Sequence, residues 1–125
     1  MELDYKSLLE MDDEDRKKML TKFLVETLGK NEEDQITDFQ EMIVHTAKEY
    51  NDREYIDLCK VILTIIYSMD EQSIKKLMEA RLEANFELED LFEKSVDSTN
   101  LLKAIEELPQ EDRIIDILKK YGILP

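Results

Sequence analysis

Apolar residues recur at helical spacing along almost the whole of this chain, and no stretch shows the strict alternation of a half-buried strand. Leu3, Leu8 and Leu9 mark a short lead-in helix within residues 3–10. A first long helix is predicted from about Asp12 to Leu28. Asp12 is its cap, Asp13, Glu14 and Asp15 sit at its positive end, and Met19, Leu20, Phe23, Leu24 and Leu28 form its apolar face. Gly29 follows as a left-handed stop. A second helix, roughly Glu32 to Tyr50, is capped by Asn31. Its buried seam is Ile36, Phe39, Ile43, Ala47 and Tyr50.

The third helix, residues 52–68, carries the strongest signal. Asn51 and Glu54 have the spacing of a capping box. Tyr55, Ile56, Leu58, Cys59, Val61, Ile62, Leu63, Ile65, Ile66 and Tyr67 cover more than half of its circumference, leaving Arg53, Asp57, Lys60 and Thr64 as a narrow polar strip. A helix apolar on so many sides needs shelter on most of them. It therefore lies in the middle of a bundle or lends one face to a dimer.

A fourth helix starts near Asp70, with Ser68 and Glu71 as a second capping box and Ile74, Leu77, Met78 and Leu82 along one face. Two endings fit: a continuation through Leu88 and Phe92, or a break near Asn85. Residues 95–100, Ser-Val-Asp-Ser-Thr-Asn, read as a loop, because short polar side chains compete for backbone hydrogen bonds. A short helix at about 99–107 follows. The last helix has Pro109 in its first turn, carries Ile114, Ile115, Ile117, Leu118 and Tyr121, and stops at Gly122. The apolar tail Ile123-Leu124-Pro125 docks on the body or serves as a partner's handle. The expected fold is an all-α, compact bundle of five to six helices around the central helix at about 52–68, with residues 1–125 forming one domain.

Charge narrows the partners. Acidic residues number 31 and basic residues 17, for a net charge of −14. That field repels phosphate backbones and anionic lipid heads and favours a basic protein surface. Direct nucleic-acid binding is disfavoured, and no apolar run approaches the roughly 20 residues of a membrane span. Cys59 is alone, so no intrachain disulfide forms, and Met1-Glu2-Leu3-Asp4 lacks the basic region and apolar run of a signal peptide. The cytoplasm is the expected location.

Candidate chemistry is sparse. Glycine occurs only at 29 and 122, which leaves no Rossmann or Walker loop and no calcium loop, and no cofactor is expected. Glu41, His45 and Glu49, with Asp38 nearby, share the side opposite the second helix's seam, but one straight helix supplies only part of a metal shell. Cys59 reads as a small core residue. Glu54 with Asp57, and Glu83 with Glu87 and Asp90, have the spacing with which a helical Mg/Mn-dependent nucleotide phosphohydrolase would hold metal.

Arg81 and Asn85 interrupt an apolar stripe. Arg81 either snorkels, pairs with an acid from a facing helix, or marks a polar binding groove. The sequence therefore points first to a non-catalytic helical interaction or structural module, acting as a homodimer or as a subunit of a larger complex. Its candidate contacts are Tyr55, Tyr67, Arg81, Asn85, Ile123 and Leu124. The metal-assisted phosphohydrolase, and an acidic regulator within a nucleic-acid-associated complex, are the alternatives.

Overall fold

The computed structural model describes residues 2–123, and among them it contains seven helices and no strand. They are α1 (Tyr5–Glu10), α2 (Asp13–Leu28), α3 (Glu32–Glu49), α4 (Asp52–Tyr67), α5 (Glu71–Phe86), α6 (Leu91–Glu107) and α7 (Glu111–Lys120). The all-α class is as expected, whereas the count exceeds five to six because the lead-in segment is a helix of its own.

Side-chain caps set most of the helix starts. Asp4, Asp12, Asn31, Asp70 and Asp90 each accept a backbone N–H three residues on, at 2.8–3.1 Å. Asn51 and Glu54 form the expected capping box, with reciprocal bonds of 2.8 and 2.9 Å. The second predicted box is displaced: Asp70, not Ser68, caps α5, while Ser68 closes α4 and donates its hydroxyl to the Ile65 carbonyl at 2.6 Å. Pro109 lies in the turn before α7, whose N-cap is Gln110.

The two glycines behave differently. Gly29 ends α2 with φ −77°, in the right-handed region, so the left-handed stop expected there is not formed. Gly122 has φ +72°. Around it, Ile123 N–H donates to the Leu118 carbonyl and Gly122 N–H to the Lys119 carbonyl, at 2.8 and 3.0 Å. That pair of bonds is a Schellman ending, which needs the left-handed residue that glycine supplies.

The helices pack as two intimate pairs, α3 along α5 and α4 along α6. Helix α2 lies against α3, α4 and α5, α1 closes over α3, and α7 rests on α5 and α6. Tyr50 Oη donates to the Tyr5 carbonyl at 2.6 Å, fixing α1 to the body. Glu71 accepts from Lys120 Nζ and Tyr121 Oη at 2.9 and 2.7 Å, fixing α7 to the start of α5. Ile123 packs against the core, and Leu124 lies outside the described residues.

Nine of the sixteen residues of α4 are buried, from Tyr55 to Tyr67. Arg53, Asp57 and Thr64 are exposed and Lys60 is half-buried, as the polar strip predicts. The neighbouring helices of the same chain supply the shelter, so α4 has no apolar face left for a dimer.

The stretch 95–100 is not a loop but the middle of α6. The true break falls earlier, at residues 87–90 between α5 and α6, where Glu87 ends α5 and Asp90 caps α6. No helix among the described residues is long and apolar enough to cross a membrane.

Candidate functional site

Arg81 from α5 and Asp97 from α6 meet in the interior, 4% and 0% exposed. Arg81 Nη1 donates to Asp97 Oδ2 at 2.9 Å, and Nη2 donates to Oδ1, giving a bidentate pair. Tyr55 Oη, from α4, donates to the same Oδ1. Asn85 Nδ2 donates to Oδ2 at 2.9 Å and to the Lys94 carbonyl at 3.2 Å. One carboxylate thus gathers donors from α4 and α5.

The electrostatics keep both charges in place. Burial alone would raise the pKa of Asp97, but the guanidinium and the donated bonds outweigh it and hold the carboxyl below its ordinary value. Burial would lower the pKa of Arg81, and Asp97 more than compensates, raising it. Burial pushes the Tyr55 hydroxyl upward, with Asp97 adding to the effect. It pushes the neighbouring Cys59 thiol up to about 12. Near neutral pH the network therefore holds one anion, one cation, a neutral phenol and a neutral thiol. The adjoining cavity, lined by Tyr55, Cys59, Ile62 and Arg81, measures about 10 Å³, close to the space of a single water. The arrangement clasps helices together and has no room for a substrate.

The structure accordingly moves most of the sequence-predicted contacts indoors. Tyr55, Tyr67 and Arg81 are 2%, 5% and 4% exposed, and Asn85 is half-buried with its amide committed to α6. None of these four offers a partner a free polar tip. Arg81 takes the second of its expected options, pairing with an acid from a facing helix. Ile123 is half-buried against the core.

The carboxylates named for metal are not brought together. Glu54 is spent on its capping box. Asp57 is joined to Arg53 at 2.8 Å, and Arg53 also holds Glu107 at the C-terminal end of α6. Asp90 caps the opposite end of that helix, which is about 25 Å long at 1.5 Å per residue. Glu83 and Glu87 are exposed close to the Asp90 end. Among the described residues, no three His, Cys, Asp or Glu side chains converge in a metal-binding group. His45 is exposed and stacks on Tyr5, with ring centroids 5.2 Å apart and planes 14° apart. Asp38 turns away from it to Lys30 Nζ at 2.8 Å and Thr27 Oγ1 at 3.0 Å.

Sequence reasoning missed a surface. The large apolar side chains most open to solvent are Val25, Phe86, Leu91, Phe92 and Leu102; three of these five belong to α6, and Phe86 is the last residue of α5. Leu91 and Phe92 are 78% and 70% exposed. The exposed residues of α6 from Leu91 to Leu102 are Leu91, Phe92, Ser95, Ser98, Thr99 and Leu102, and none carries a charge. In a chain with 38% charged residues that is an unusual face. Lys94 Nζ stands 5.3 Å from the centroid of the Phe86 ring, so this ring leans over the first turns of α6. The signal lies in the helical spacing of Leu91 with Leu102, which a loop at 95–100 would hide.

Comparison with known proteins adds no assignment: no family model, curated protein or solved structure matches this chain.

Proposed function

We propose that this protein is a non-catalytic helical interaction module, one domain working in the cytoplasm, whose contact surface is the outer face of α6 together with Phe86. The observation that carries this reading is the uncharged set of exposed residues from Leu91 to Leu102, Phe92 among them, with the exposed Phe86 just ahead of it. Exposed apolar side chains gathered on one uncharged face mark contact surfaces more often than those scattered singly. Fully covering a Leu or Phe side chain is worth about 1.5–3 kcal/mol, so a partner that shields several of these gains appreciable affinity. Helix α4, which suggested the same role from the sequence, does not support it, since its own chain covers it.

The test is the size of the native assembly. Extracts containing the intact chain, or the chain with Leu91→Glu and Phe92→Glu, are compared by native sizing, with helicity checked by circular dichroism. The intact chain is expected well above 14.8 kDa, and the variant at the mass of the free monomer. An unaltered profile in the variant overturns the reading.

One observation favours a basic partner as a second reading. A groove between α3 and the α5–α6 turn is lined by Glu41, Glu87, Glu89, Asp90 and Glu93, with no lysine or arginine in its wall. Attraction to such a groove fades with added salt.

A further inference from the structure

We infer that the occupant of the α6 face is a second copy of this chain, docked through an antiparallel α6–α6 contact about a two-fold axis. This inference rests on the interaction reading above and adds the partner.

The layout of the face is self-complementary. At 100° per residue, Leu91, Ser95, Ser98 and Leu102 fall within an arc of about 60°, one continuous stripe down the exposed side of α6. Leu91 and Leu102 stand symmetrically about the midpoint between Val96 and Asp97, and so do Ser95 and Ser98. Two such helices, antiparallel and centred on that point, place each Leu91 opposite the partner's Leu102 and each Ser95 opposite the partner's Ser98. The small serines at the centre let the backbones approach, and the leucines close both ends. A two-fold contact requires one patch that matches itself, and this stripe does.

The helix dipoles favour the antiparallel register, since it sets the positive end of each α6 beside the negative end of the partner's, whereas a parallel pair sets like ends together.

Size and net charge fix how the dimer behaves. A contact made mainly by one pair of helices buries less than the roughly 1,600 Å² of a standard interface, which places it among the weak contacts that come apart on dilution. Each copy also carries −14, so the copies repel at long range. Added salt screens that repulsion and strengthens the dimer, the opposite of its effect on a basic partner.

The experiment uses the purified full chain in sedimentation at low and high salt, from roughly 1 µM to roughly 1 mM. The expected result is a monomer–dimer equilibrium that shifts at least about tenfold toward dimer at high salt. Leu91→Glu alone and Leu102→Lys alone abolish the dimer, and the two together restore it, because each new acid then meets a new base across the axis. Register is read separately by oxidising a mixture of the Ser95→Cys and Ser98→Cys proteins, in which the buried Cys59 is a bystander. Mixed 95–98 cross-links should exceed either same-site product. A monomer at every concentration, or same-site cross-links in excess, overturns the inference. If the purified chain stays monomeric while Leu91→Glu with Phe92→Glu still shrinks the native assembly, only the identity of the partner is wrong. If those substitutions change neither measurement, the interaction reading falls as well.

Discussion

Asp97 on α6 accepts both terminal nitrogens of Arg81 on α5, and water reaches neither side chain to any extent. Breaking such a pair leaves a bare charge in apolar surroundings and costs about 3–5 kcal/mol. Against a whole-domain stability of about 5–15 kcal/mol, that is a large share. Asp97→Asn and Arg81→Met should each lower the urea midpoint severely. Arg81→Met combined with Asp97→Leu should recover most of the loss, because no isolated charge remains. The unrecovered part belongs to the Tyr55 and Asn85 donors, which lose their acceptor.

The same carboxylate predicts the acid limb of stability. Burial opposes its ionisation, yet Arg81, Tyr55 and Asn85 hold its folded value below the ordinary one. A depressed folded value means that the stabilisation is fully present above the unfolded value of about 3.9 and drains away as pH falls through the folded value. Urea midpoints should be nearly level from neutral pH to about 5 and drop below about 4. Asp97→Asn should start lower and lose less over the same acid interval. Equal acid slopes for the two proteins would contradict the assignment.

The two glycines should respond to alanine with opposite signs. At Gly29 the backbone is right-handed and an added Cβ would meet the Glu26 carbonyl at an ordinary 3.5 Å. Gly29→Ala should stabilise by about 0.4–1 kcal/mol through reduced freedom of the unfolded chain. Gly122 has open space around it but a φ of +72°. Gly122→Ala should cost about 1 kcal/mol in backbone strain. Thermal melts of the two variants beside the parent decide both.

Two buried tyrosines provide a further contrast. Tyr67 Oη is enclosed and finds no hydrogen-bond partner among the described residues. Removing an unsatisfied hydroxyl relieves a desolvation cost, so Tyr67→Phe should be neutral or stabilising by up to about 1 kcal/mol. Tyr55→Phe deletes a bond to a charged acceptor and should destabilise by about 1.5–3 kcal/mol. Denaturant unfolding of each single variant measures the difference.

Much of the helical frame was legible because its signals are local. Asp12, Asn31 and Asn51 announce their helices through a cap three residues ahead of the amide they satisfy, and the apolar arc of α4 announces its burial. Helix α6 was not legible in its middle. Its inward side carries Asp97 and Asn100 where a periodic search expects apolar residues, followed by Leu101 and Ala104. The period is helical, but it is written partly in polar side chains whose partners, Arg81 and Asp52, lie on other helices. Short-range competition from Ser95, Ser98 and Thr99 then favoured a loop reading. In the folded chain Ser98 Oγ donates to the Lys94 carbonyl at 2.9 Å, a bond made without leaving the helix. The exposed apolar surface was missed for the same reason, since Leu91 and Leu102 share a face only if the segment between them is helical.

The clasp on the inside of α6 also governs what is displayed on its outside. A helix gripped at Asp97 cannot spin about its own axis without stranding that anion in hydrocarbon, so the azimuth of every other residue on it is dictated. Leu91 and Leu102 point away from the body because the carboxylate points into it. A substitution at the ionic centre would therefore be felt as a blurred outer contour before it was felt as an unfolded chain.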